Sequence, residues 1–378
     1  MDKTPSAPEP QPPLSPAMLA RAPHRLLFFI GAANVLLAMF WWTLWLVEAR
    51  WHVLDLPQPQ VYGGWLHAIV MQYHVLAPFM FGFLLTVFPR WMGQDDLTVW
   101  HYVPVGLGLF GGQLLTLGGA LGPAHLLHLG AVFTLVGWGT GLFYLLRMLW
   151  RDGGKTWHAV SCAAGLFLGF VGLLAYAGFL HVDDARLMFA AIKIGTFGLL
   201  LPVYFTVCHR MVPFFSGNVA GAGYRLFRPG WSLPLVWLLS LAHLALELGH
   251  RQDWLWLADV PLAALFAVHA IAWQPWKCLR PGLLAALHLA FAWLPLAFAL
   301  YALQSLLGSR WSSSPDCLTV FKAPAERHNP RNGNQQRQDQ PGPLEHPSFS
   351  PRSRHDRILL RWCSRVVPMA APVLRGWL

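Results

Sequence analysis

Nine mostly apolar runs follow one another between Leu26 and Leu307, at 26–47, 66–88, 104–122, 125–149, 158–180, 187–208, 233–248, 254–273 and 282–304. A helix needs roughly 20 such residues to cross a bilayer. A chain of this pattern has few options, because in lipid every backbone polar group must be satisfied internally. The sequence therefore predicts an all-α, polytopic helical membrane protein. It has about nine transmembrane helices, and the lipid bilayer is its first partner. Composition agrees. Only 12% of the residues are charged, against about 25% in soluble domains. That is too little charge to coat a soluble globule of this length.

Orientation follows from Lys and Arg in the short loops. With the N-terminus in the cytoplasm, the inner loops hold Arg21, Arg25, Arg90, Arg147, Arg151, Lys155, Arg210, Arg225, Arg228, Lys277 and Arg280. The outer loops hold only Arg50, Arg186 and Arg251, beside the acids Glu48, Asp55, Asp183, Asp184, Glu247 and Asp253. The net charge of +10 thus belongs to membrane topology and does not point to nucleic acid.

Residues 1–23 read as a disordered Pro-rich leader, 24–307 as the transmembrane helical domain, and 308–378 as a polar, basic, disordered tail. The leader is not a signal peptide, because the apolar run after it is too long for one. The five cysteines show no CxxC and no paired spacing, which argues against a disulfide framework or a zinc site. Phosphate-binding loops, HExxH and serine-nucleophile elbows are absent from the sequence.

Histidine is the residue type left to explain. An intramembrane imidazole is a functional hypothesis by default. His67 and His74 lie on the second run, seven residues and hence two helical turns apart, and His243, His269 and His288 lie on later runs. His158, His209 and others fall near interfaces. Neutral imidazole ligates haem iron and copper. For any one histidine, a hydrogen-bonded packing role is the commoner outcome; His67, His74 and His288, on apolar helices, are the stronger metal candidates. Lys193 either snorkels outward or lines a polar cavity. Arg210 and Arg90 serve equally as inner-face anchors or as contacts to a haem propionate or other anion.

Three motifs carry a family resemblance. His67-Ala68 with Met71 and Gly82-Phe83-Leu84-Leu85-Thr86-Val87-Phe88-Pro89-Arg90-Trp91 resembles the second-span motif of the NnrS proteins. Arg210-Met211-Val212-Pro213-Phe214-Phe215-Ser216 resembles their R-[IVM]-[IV]-P-F-F-[ST] element, and Leu287-His288-Leu289-Ala290-Phe291-Ala292-Trp293-Leu294 their late L-H-L-x-[YF]-x-W-L helix. The resemblance covers about residues 24–307. It implies a haem- and copper-containing protein of the bacterial inner membrane, linked to nitric oxide, nitrosative stress and denitrification. Nitric oxide or a related small molecule is the implied partner. No reaction is implied. In this reading His67, His74 and His288 are metal ligands, and Arg210 and Arg90 sit near haem propionates.

The chain departs from the family pattern twice. The family's H-x-H-E-M motif aligns its first His with His67, but Ile69 and Val70 replace the second His and the Glu; His74 is the candidate substitute. Family members also run to about twelve spans, ending near R-x-x-L-G-H-[ST], whereas here the apolar pattern stops at Leu307. Shifted by one base, the possible codons of Gln338–Glu345 can encode Arg-Thr-Ser-Leu-Gly-His-Ser-Ser. A frameshift near 308–316 and the loss of about three spans are therefore expected. The competing function is a small-solute transporter without a metal cofactor. Leu201-Pro202 and Leu294-Pro295 favour it, and the lack of an internal sequence repeat disfavours it.

Overall fold

The computed structural model describes residues 16–54, 57 and 60–311. Among them, nine main helices match the nine apolar runs: α1 (Pro23–Trp51), α2 (Gly63–Met92), α3 (Val99–Ala120), α4 (Ala124–Asp152), α5 (Trp157–Val182), α6 (Ala185–Ala220), α7 (Ser232–Leu248), α8 (Trp256–Ala272) and α9 (Gly282–Trp311). No strand occurs among the described residues. Eight segments are long and apolar enough to cross a membrane, α8 with its flanking turns as Gln252–Lys277. The expected short seventh run is α7, with 17 residues. Trp51, Trp100, Trp150, Trp157, Trp231 and Trp254 are exposed at helix ends, where amphipathic indoles suit the membrane–water interface. Leu36, Phe40, Leu107, Phe143 and Phe167 are exposed within helices, as a lipid-facing surface requires.

The helices form two packed groups that share α6. Leu27, Leu66, Phe81, Trp138 and Leu166 are buried in the first group with Ala191 and Leu199 of α6. Val236, Phe266, Phe291 and Phe298 are buried in the second with Phe205 and Val212 of α6. Within the first group, α3 and α4 meet along a glycine seam. A Cβ on Gly108 would lie 2.7 Å from the Gly137 backbone nitrogen and 2.8 Å from the Phe133 carbonyl oxygen. Small residues let helix backbones approach this closely in a membrane.

Two helices are not α-helical throughout. α2 contains a π segment, Val70–Val75, and α6 another, Ile194–Leu200. A π segment frees backbone carbonyls, and within a bilayer these must find side-chain donors. They do. Asn34 Nδ2 donates to the His74 carbonyl at 2.8 Å, and Ser240 Oγ to the Phe197 carbonyl at 2.9 Å. The segments also meet, where Gln72 Nε2 donates to Thr196 Oγ1 at 2.9 Å; Tyr73 donates to the Ala191 carbonyl, in α6 just ahead of its π segment, at 2.6 Å.

The ends differ from expectation in detail. The described residues begin at Pro16, inside the segment read as the leader. Pro16–Leu19 is a helical turn, and the Tyr102 hydroxyl donates to the Ala20 carbonyl at 2.6 Å. At the other end α9 runs on to Trp311, past the expected limit at 307. Residues from 312 onward, where most of the shifted reading was expected, lie outside the described residues.

Candidate functional site

His74 is fully buried on the first π segment and faces α4. Its Nε2 lies 2.8 Å from Thr134 Oγ1. The Thr134 hydroxyl donates to the Gly130 carbonyl at 2.7 Å, so its proton is already committed. The assignment that strands no buried proton places the hydrogen on Nε2, donating to Thr134. Nδ1 is then the lone-pair nitrogen, and it is buried with no hydrogen-bond partner. This is the state a metal-ligating histidine needs: neutral, with its tautomer and ring angle set by a bond to the other nitrogen. A polar seam surrounds it. Gln113 Nε2 donates to the Asn34 carbonyl at 2.8 Å. Asn34 Oδ1, Gln113 Oε1 and Thr116 Oγ1 are likewise buried without partners.

His67 meets a different surface. Its ring stacks on Trp42 of α1 with centroids 4.1 Å apart, and Trp42 stacks in turn on Trp45 at 4.8 Å. Its Nδ1 is also buried without a partner. The expected two-turn alignment of His67 with His74 passes through the π segment, whose wider turn alters the register. The two rings accordingly contact α1 and α4 respectively.

His288 belongs to the second helix group. It is buried on α9, with Nε2 3.0 Å from Ser216 Oγ on α6. The structure thus places His67 and His74 in one group and His288 in the other. No cluster of three or more His, Cys, Asp or Glu side chains is arranged to hold a metal among the described residues. Arg210 is half-buried, with its guanidinium carbon 4.5 Å from the Trp91 ring centroid. That contact brings together the C-terminal ends of α2 and α6, as alternating spans require. Arg90, beside Trp91, is exposed.

Two arrangements escaped the sequence. In the first, His209 Nε2 donates to the Pro229 carbonyl at 3.2 Å, so its Nδ1 accepts from His158 Nε2 at 3.2 Å. His158 Nδ1 is left buried and unpartnered. Each histidine had been placed near an interface, and nothing in their spacing of 51 residues pairs them. In the second, Lys193 lines a polar interior and does not snorkel outward: its Nζ lies 2.7 Å from Glu247 Oε1. His243 sits 2.6 Å from Asp259. Glu247 had been grouped with loop acids, but it is buried in the last turn of α7. The signal available was its i,i+4 spacing from His243 on one helix face.

The family model described as NnrS protein matches residues 18–316. No curated protein matches the chain, and no solved structure does.

Proposed function

The chain belongs to the NnrS family, and from that premise we propose that it binds haem and copper in the bacterial inner membrane and serves nitric-oxide metabolism or resistance to nitrosative stress. The family places it among multi-pass membrane proteins related to nitric oxide. The finer reading rests on one observation above the rest: a fully buried, neutral His74 whose Nδ1 lone pair is free and whose Nε2 is anchored by Thr134. Burying an imidazole nitrogen without a partner costs free energy. A metal ion or haem iron satisfies that nitrogen.

In this reading His74 and His67 hold metal within the first helix group, and His288 serves a separate centre in the second. Arg210, steadied on Trp91, and the exposed Arg90 neutralise haem propionates at the inner face, with the N-terminus in the cytoplasm. When bound, haem or copper would supply a redox-active centre. The protein supplies a dry site, a fixed tautomer and cationic contacts.

The test is metal content. Full-length protein is purified in detergent, and haem and copper per chain are measured for wild type and His74→Ala. Lower content in the variant is expected. Unchanged content removes His74 from the ligand set. If wild type binds no metal yet takes up a small solute in vesicles, the transporter reading replaces this one.

A further inference from the structure

Beside the second π segment, four ionisable side chains from three helices form a row. Lys193 Nζ lies 2.7 Å from Glu247 Oε1, which lies 3.6 Å from His243 Nε2. His243 Nδ1 lies 2.6 Å from Asp259 Oδ1. His243, Glu247 and Asp259 are buried, while the Lys193 side chain is 23% exposed. The row therefore has an accessible end and a dry end. Phe197 of the π segment packs on the His243 ring at 3.8 Å between centroids, and Tyr301 of α9 lies at 5.7 Å. Tyr301 is the further titratable group facing the row. His250, exposed outside it, stacks on the Phe189 ring that Lys193 also approaches.

The Lys193–Glu247 ion pair alone does not require the rest of the row. Lys193 and Glu247 already balance each other. Asp259 adds a second buried carboxylate whose charge partner is His243, a cation only when protonated, and its Oδ2 has no hydrogen-bond partner. Nor does His243 Nε2. With both carboxylates ionised and the imidazole neutral, the row carries an uncompensated negative charge, which is costly in a low-dielectric interior. One added proton makes the row neutral. Imidazole is the side chain suited to accept a proton on one nitrogen and release it from the other.

We propose that this row is an internal proton-transfer site, in which His243 passes a proton between Glu247 at the accessible end and Asp259 at the dry end. The bonds balance. Once the 3.6 Å gap between Glu247 Oε1 and His243 Nε2 closes to hydrogen-bond length, the Glu247 O–H breaks as the His243 Nε2–H forms; as the Nδ1–H breaks, an O–H forms on Asp259. Glu247 ends ionised, Asp259 neutral, and His243 neutral in its other tautomer, which a ring flip resets. The site goes beyond the metal reading and does not rest on it.

Infrared difference spectroscopy of the purified full-length protein in lipid nanodiscs tests this. Spectra are compared between about pH 8 and pH 5, the window in which imidazole changes charge. Surface carboxylates stay largely ionised there, with ordinary values near 4. The expected result is a deuterium-sensitive C=O band of a protonated carboxyl together with imidazole ring bands. Carbon-13 labelling of aspartate shifts that C=O band without any substitution. Asp259→Asn removes it, and His243→Gln lowers the ring bands by one histidine's share of the 17 in the chain. A spectrum with no such band, or a band that aspartate labelling leaves in place, overturns the proposal, because a static ion-pair row stores no exchangeable proton on Asp259.

Discussion

Replacing Thr134 with valine removes one oxygen and leaves the side-chain volume nearly unchanged. In the structure that oxygen accepts the only hydrogen bond made by the His74 ring, at 2.8 Å, while its own proton goes to the Gly130 carbonyl at 2.7 Å. In Thr134→Val the His74 Nε2–H is stranded in a site with no solvent access. Leaving a buried donor unpaired costs about 1–3 kcal/mol. The loss also frees the ring to turn and to change tautomer. Removing the outer hydrogen-bond partner of a metal-ligating histidine lowers metal affinity by about 10–100-fold, or about 1.4–2.8 kcal/mol. Thr134→Ser keeps the hydroxyl and retains most of the metal. The assay is haem and copper per chain after dialysis against graded chelator, with thermal unfolding in detergent as the stability readout. Equal metal retention in wild type and Thr134→Val refutes the assignment of Thr134 as the group that sets the His74 tautomer.

Two further outcomes are expected. Gly108→Ala drives a methyl group against the Gly137 backbone, 2.7 Å from its nitrogen. Backbone cannot yield as a side chain does, so the cost is about 1–3 kcal/mol or more. Gly111→Ala, whose methyl meets only the Phe133 ring edge at 3.1 Å, changes the detergent melting temperature far less. Asp184 caps α6, accepting from the Arg186 backbone at 2.9 Å and side chain at 2.7 Å, and these bonds hold its carboxyl below the usual carboxylate range. A depressed folded-state value stabilises above the ordinary range and is lost as pH falls through the lowered one. The melting curves of wild type and Asp184→Asn therefore differ slightly near neutrality and converge in acid, since the pair is exposed. A difference that grows in acid contradicts this.

The membrane architecture was legible because hydrophobic length is a local property. Each span from α1 to α9 is visible in its own residues, and so was the shortness of α7. The π segments were not legible. Nothing in Val70–Val75 or Ile194–Leu200 marks an i→i+5 turn; what permits it is Asn34 and Ser240 arriving from other helices to bond the freed carbonyls. The candidate site was half legible. His74 stood out as an imidazole in an apolar run, but the bond that fixes its tautomer comes from Thr134, 60 residues away. Glu247 and Asp259 were missed for a related reason. Glu247 lies in the last turn of α7, where an acid reads as part of a loop, Asp259 falls within the run 254–273, and only the packing of α6, α7 and α8 brings both together with Lys193 and His243.

The most direct test is an optical spectrum of the purified wild-type protein, oxidised and then reduced, with metal analysis of the same sample. A Soret band that shifts on reduction and again on addition of nitric oxide, with haem and copper in stoichiometric amounts, is the expected result. A colourless protein without metal, folded and still helical, would contradict a haem- and copper-binding function.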